Sequence, residues 1–255
     1  MKLVFLGTSS AIPAPDNGYT SFLLTITPYR LLVDTGDNPV KALLEIGEDP
    51  TLLDAVFLTH THIDHLGAFP SLVSALDCMK RTKPLFVVAS AETQTAAQQL
   101  LNQFPLNLQN LTFPLHYTDS FSRDRLTCSL LPGNHAVPTS MILVTCRQED
   151  KDMHLLYTSD YHHGDTVISP AGMVEVMIHE ATYPHQSLPV STSHSSALQA
   201  GLAAEKSKCQ TLFLCHFEPQ AYPKGVDEAA KEAKASFSGK VIVPTLKQWY
   251  NLFDG

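Results

Sequence analysis

Thr59-His60-Thr61-His62-Ile63-Asp64-His65-Leu66-Gly67 places three imidazoles and one carboxylate within six consecutive residues, directly after the apolar run from Leu52 to Leu58. Neutral imidazole and carboxylate are the donors that suit zinc and neighbouring divalent ions. Side chains of an extended segment alternate with a period of two, so His60 and His62 leave the same side and can grip one ion. Asp64 and His65 fall a turn further on, placed for a second ion. With 12 histidines in 255 residues, three at this spacing are an improbable accident. The segment reads as a metal loop leaving the end of a buried strand.

Further donors recur at the same kind of place. His135, in Pro132-Gly133-Asn134-His135, ends the apolar strand from Leu126 to Leu131, Asp160 follows the run from Met153 to Tyr157, and His216 ends Thr211–Cys215. Polar residues where hydrophobic strands stop mark the face on which open α/β sheets and barrels carry their chemistry. The set His-x-His-x-Asp-His, His, Asp, His resembles the metallo-β-lactamase superfamily of dinuclear hydrolases over nearly the whole chain.

Within that superfamily the chain is most similar to ribonuclease Z and its phosphodiesterase relatives. The resemblance rests on the opening Phe5-Leu6-Gly7-Thr8-Ser9-Ser10-Ala11-Ile12-Pro13, on Ile178-His179-Glu180-Ala181-Thr182, on His194-Ser195-Ser196 with Gln199-Ala200, and on Cys215-His216-Phe217. It implies an αββα sandwich, two mixed β-sheets flanked by helices, formed by residues 1–255 as one domain, with the site at one edge. It further implies that His60, His62 and His135 hold one divalent ion, Asp64, His65 and His216 a second, and that Asp160 bridges them. Zinc is the expected metal, with manganese and iron as alternatives. Asp64 would orient the nucleophile, a hydroxide between the two metals, while Glu180 and His194 would form the acid pair that protonates the leaving group. A homodimer is implied by the resemblance alone.

The departures are specific. Ribonuclease Z carries a long tRNA-clamping arm between the third histidine and the bridging aspartate, whereas here only 24 residues separate His135 from Asp160. The family's Asp-Cys-Gly-Glu-Gly segment is replaced by Asp34-Thr35-Gly36-Asp37-Asn38, and Pro15-Asp16-Asn17-Gly18 lacks the basic residue expected after the first loop.

Composition sets the outer bounds. At 44% hydrophobic and 16% charged the chain has enough apolar surface for a substantial core. A formal net charge of −8 argues against general nucleic-acid binding, which draws on clustered Lys and Arg. The one small basic cluster, Lys80-Arg81-Thr82-Lys83, reads as a solvated turn. Five cysteines without a C-x-x-C pair fit a reducing compartment, and Cys215 reads as core. The apolar segment after Met1-Lys2 is too short for a signal sequence, and no run reaches membrane-spanning length. A cytoplasmic protein with no membrane partner is expected.

Strands and helices alternate throughout. Strands are expected at Leu3–Leu6, Ser21–Thr27, Arg30–Val33, Leu85–Ala89, Leu126–Leu131, Met141–Cys146, His154–Tyr157, Val174–Ile178, Thr211–Cys215 and Val241–Val243. Helices are expected at Pro39–Ile46, Ala68–Leu76, Glu92–Leu101, Ala200–Lys206 behind the capping box Ser196–Gln199, and Asp227–Ser236. His116, His154 and His185 belong to no motif. His179 faces away from Glu180 on its strand, and His162 and His163 stand where they line a pocket mouth or face solvent.

The departing alkoxide of a phosphodiester is a poor leaving group, so a proton donor of the Glu180–His194 kind is most useful there. The expected function is therefore a metal-dependent phosphodiesterase acting on a small or cyclic phosphodiester, or on a short nucleic-acid end. The alternatives are a lactone, thioester or β-lactam hydrolase, a ribonuclease Z-like RNA 3′-processing enzyme, or a metal-binding protein without hydrolysis.

Overall fold

The computed structural model describes residues 1–148, 151–163 and 173–253. Two seven-stranded sheets form its centre. The first contains β1 (Lys2–Gly7), β2 (Ser21–Ile26), β3 (Tyr29–Val33), β4 (Ala55–Phe57), β5 (Leu85–Val88), β6 (Leu115–Thr118) and β14 (Trp249–Asn251), in the order β14-β1-β2-β3-β4-β5-β6. The second runs β13-β12-β11-β10-β9-β8-β7, from β13 (Lys240–Ile242), β12 (Thr211–Cys215), β11 (Val176–Glu180), β10 (Lys151–Tyr157) and β9 (Ser140–Gln148) to β8 (Leu126–Pro132) and β7 (Ser120–Arg123). Both sheets are mixed: β3 to β6 are parallel, as are β10 to β13, and the remaining pairings are antiparallel.

The period-two alternation of strand side chains sorts the apolar residues into three layers. Leu3, Phe5, Leu31, Val33, Ala55 and Phe57 of one sheet meet Leu155, Tyr157, Ile178, Phe213 and Cys215 of the other between the sheets. Their neighbours Val4, Leu32, Val56 and Val87 turn outward onto α1 (Pro39–Glu45), α3 (Phe69–Cys78) and α4 (Ala91–Leu101). On the opposite outer face Leu156, Met177, Leu212 and Leu214 pack under α5 (Ala197–Lys206) and α6 (Asp227–Lys234). Strands covered on both faces are apolar at consecutive positions, which is why Ala55–Leu58 and Thr211–Cys215 read as buried runs. The αββα sandwich is the fold.

The expected strands and helices are present with ends shifted by a few residues, and the capping box forms as both of its bonds, Ser196 Oγ to the Gln199 amide and Gln199 Oε1 to the Ser196 amide. Three strands escape the sequence pattern, β6, β7 and β14. All are three or four residues long, and β7 is buried only at Phe121. All three edge their sheets, where one side faces solvent and alternation is weak. Lys80-Arg81-Thr82-Lys83 is solvated at Lys80 and Thr82 but not at Arg81. Arg81 is 2% exposed, and its guanidinium donates to the carbonyls of Thr51, Leu53 and Pro84, tying the end of α3 beneath the segment that leads into β4. The guanidinium answers backbone carbonyls that would otherwise be buried without donors. Among the described residues no helix is long and apolar enough to cross a membrane.

Candidate metal centre

The site forms at one edge of the sandwich, where parallel strands end. Chain turns there are sharp: Asp34, Ser159 and His216, each one or two residues beyond β3, β10 and β12, take left-handed φ values of 57°, 55° and 58°. Non-glycine residues in that region carry backbone strain that the surroundings must hold, and all three belong to the site. After β4 the chain runs extended through His60 and His62, then enters the one-turn helix α2 (Ile63–Leu66), which carries Asp64 and His65. Gly36 makes room for this helix, since a Cβ there would lie 1.6 Å from the Asp64 carbonyl oxygen.

Seven side chains, His60, His62, Asp64, His65, His135, Asp160 and His216, converge from β4, α2, the β8–β9 loop and the ends of β10 and β12. They fall into two groups, His60, His62, His135 and Asp160, and Asp64, His65 and His216. Asp160 faces both. Its Oδ2 lies 3.6 Å from His60 Nε2 and 3.6 Å from His135 Nε2, while its Oδ1 lies 3.4 Å from His65 Nε2 and 3.2 Å from His216 Nε2. His62 Nδ1 stands 3.1 Å from His60 Nε2 and 3.3 Å from His135 Nε2. Asp64 Oδ2 is 3.4 Å from both His65 Nε2 and His216 Nε2.

These spacings test whether a metal fits. Four donors about 2.0–2.1 Å from a tetrahedral zinc stand about 3.3–3.4 Å from one another, and the donor separations cluster around that edge length. His65 Nε2, His216 Nε2 and Asp160 Oδ1 are buried with no hydrogen-bond partner, an arrangement that is costly unless something else meets them. The donor set fits divalent metal.

Four histidines are tied back through Nδ1, which places the proton there and leaves Nε2 as the free donor. His65 Nδ1 donates to Asp34 Oδ2 at 2.8 Å, His135 Nδ1 to the Ser193 carbonyl at 3.0 Å, His60 Nδ1 to Thr59 Oγ1 at 3.0 Å and His216 Nδ1 to Thr182 Oγ1 at 3.0 Å. Thr59 passes its own proton to Asp34 at 3.0–3.1 Å, and Thr182 passes its proton to Glu180. The motif reading did not find Asp34, Thr59, Thr182 and Ser193. Asp34 was findable by the same signal as the ligands, a polar residue directly after an apolar strand. Asp34→Ala is expected to weaken metal affinity by about 10–100-fold, the range for loss of a ligand's orienting partner, read by competition with a chromogenic chelator; unchanged affinity would remove that role.

Burial alone would raise the Asp64 and Asp160 pKa values, but His216 and His65 overcome it and hold both well below the usual carboxylate range. His60 and His135 are lowered, chiefly by burial. His65 is raised despite its burial because Asp160 and Asp34 flank it.

Beside this cluster, His194 Nδ1 lies 3.2 Å from Glu180 Oε1. Glu180 is 0% exposed and fully engaged: Oε1 also accepts the Tyr161 amide, and Oε2 accepts the Thr182 hydroxyl and the Ser195 amide at 3.0 Å. Burial opposes ionisation of both partners, yet each stabilises the other's charge, so Glu180 is lowered and His194 is raised to about 9. The His194 side chain, 22% exposed, stacks on His216 with ring centres 5.2 Å apart. It lines a cavity of about 330 Å³ together with Ser10, Asp64, Asp160, His216 and Glu218. Neither Glu180, His162 nor His163 lines it. The His162 backbone instead clasps Asn134 through bonds of 2.6 and 2.8 Å, joining the His135 and Asp160 loops. His179 is buried against Tyr161, His116 stacks on Phe86, and His154 and His185 bond to Thr145 and Ser196.

A family model described as "Anti-Pycsar protein Apyc1" matches residues 1–238. The chain belongs to the Apyc1 family. Apyc1-family membership comes with wider kinship. A ribonuclease Z of Marinobacter nauticus is 26% identical over 305 aligned positions, covering 95% of this chain and 94% of the relative. An alignment of that length carries gaps in a 255-residue chain. In three dimensions, the metallo-β-lactamase-fold protein YhfI of Bacillus subtilis superposes with a TM-score of 0.80 at 23% identity over 98% of both chains. A diphosphatase of the PhnP family superposes with a TM-score of 0.69 at 14% identity, over 98% of this chain and 97% of that one. This member of the Apyc1 family is thus a metallo-β-lactamase-superfamily protein of the ribonuclease Z and phosphodiesterase-like kind, a metal-dependent hydrolase.

Proposed function

We propose that the chain is a phosphodiesterase that cleaves a small or cyclic phosphodiester at a pair of divalent metal ions, zinc by the chemistry of its donors. The carrying observation is the Glu180–His194 ion pair, its glutamate buried and its histidine opening onto the cavity beside the seven convergent donors. His60, His62, His135 and Asp160 would hold one ion, and Asp64, His65, His216 and Asp160 the other. When bound, such a pair supplies a strong water-derived nucleophile at neutral pH and neutralises charge on an attacked phosphoryl oxygen.

The protein's own groups do the remaining work. Asp64 lines the cavity and stays ionised, so it accepts a hydrogen bond from the attacking water and orients it. His194, charged and partly exposed, gives its proton to the departing alkoxide and regains one from solvent. Glu180 does not reach the cavity; it acts through His194, fixing the ring and favouring its charged form, and is a positioning residue. A cavity of about 330 Å³ accommodates a small diester whole, and the −8 net charge offers a polyanion no general grip. The five unpaired thiols agree with a reducing, cytoplasmic location.

The zinc-loaded protein is expected to turn over bis-nitrophenyl phosphate and a cyclic nucleotide faster than a simple lactone, and to leave a 3′-extended tRNA largely intact. Lactone turnover well above the diester rate would move the chemistry to carbon esters. Efficient trimming of the tRNA would make it a ribonuclease Z-like RNA processing enzyme.

A further inference from the structure

Three carboxylates line the cavity among the described residues, Asp64, Asp160 and Glu218. The first two face the histidine donors. Glu218 does not, and neither the metal cluster nor the acid pair uses it. It is nonetheless a built feature, 9% exposed and positioned from three sides. Its Oε2 accepts the Ser10 hydroxyl at 3.0 Å, its Oε1 accepts the Gln220 amide at 3.2 Å, and its own amide donates to the Thr182 carbonyl at 3.0 Å. Ser10 is itself held, its amide donating to the Phe217 carbonyl at 2.9 Å. A carboxylate has about four lone-pair sites, so Glu218 keeps acceptor capacity after both bonds. Tyr183 flanks it in the same cavity, 6.4 Å from the His194 ring. Burial, with the charges of Glu218 and Glu180, raises the Tyr183 phenol.

We propose that Glu218, held by Ser10, is a specificity-determining residue that accepts an O–H or N–H bond from the uncharged part of a nucleoside phosphodiester. The inference rests on the phosphodiesterase reading. An anionic acceptor two residues from His216 suits a group that brings protons and no charge, such as a ribose hydroxyl or a nucleobase N–H. The same carboxylate repels a second phosphate, because like charge in a partly desolvated site is costly. A charge-assisted bond of this kind is stronger than a neutral one and would be felt mainly in substrate binding.

The test compares wild type with Glu218→Gln on bis-nitrophenyl phosphate, which has no such donor, on a 3′,5′-cyclic nucleotide, and on its 2′-deoxy form. The expected result is a KM for the cyclic nucleotide raised about tenfold or more relative to that for bis-nitrophenyl phosphate. The Kd of a slowly cleaved phosphorothioate analogue, read by calorimetry, should move in parallel. An effect that vanishes on the 2′-deoxy substrate assigns the donor to the ribose, and one that persists assigns it to the base. Ser10→Ala, which frees the Glu218 side chain without changing charge, should move the same ratio the same way by less. Equal changes on all substrates, or none, with melting temperature and metal content retained, would overturn the subsite. If wild type cleaves neither diester, the phosphodiesterase reading fails, and the analogue's Kd in the two proteins still decides the subsite.

Discussion

Asp160→Ala is expected to empty both metal positions together and to abolish turnover. Each oxygen of this carboxylate faces a different donor group, Oδ2 toward His60 and His135 at 3.6 Å, Oδ1 toward His65 and His216 at 3.4 and 3.2 Å. No other side chain among the described residues spans the two. Its removal also deletes a buried negative charge that sits among four imidazoles, leaving two cations without the anion that screens one from the other. The loss should therefore exceed the 10–100-fold typical of removing a ligand's orienting partner. Elemental analysis of the purified variant reads the outcome, with Asp160→Asn as the shape-conserving control and circular dichroism to establish folding. One tightly held metal kept while the other is lost would contradict a shared ligand.

His194→Ala should lower turnover of a diester with an alkoxide leaving group by roughly 10²–10⁴-fold, the span of general acid catalysis, and should do far less to a nitrophenolate ester. The asymmetry arises because nitrophenolate departs without a proton. Metal content should survive, since all seven donors remain. Glu180→Gln should reproduce part of the defect: it keeps the hydrogen bonds but removes the charge facing His194 Nδ1 at 3.2 Å. Equal losses on both leaving groups would withdraw the acid assignment from the pair.

Local sequence carried much of this. The six residues from His60 to His65 hold four of the seven donors because a short loop followed by one helical turn delivers two side chains to each donor group. The layers were legible for a similar reason: runs such as Ala55–Leu58 and Thr211–Cys215 are apolar on both faces only where both faces are covered. Short strands at the edges, β6, β7 and β14, left little trace, since a half-solvated segment of three or four residues shows no firm alternation.

The sequence by itself determined the fold class and the candidate donors, through residue type, spacing, where apolar runs end and the resemblance those motifs carry, while the pairing of Glu180 with His194 was implied by the resemblance alone. Only the tertiary structure decided how they are arranged. Thr59 bonds its neighbour His60, but Asp34, Thr182 and Ser193 meet His65, His216 and His135 through contacts between distant segments, pairings that no local pattern encodes. It likewise separated Glu180, sealed behind His194, from the ring that meets the cavity, buried Arg81 where a basic turn was expected, and brought Ser10 and Glu218 together across the chain. Such pairings depend on packing of distant strands, and burial and hydrogen-bond direction exist only once that packing is complete.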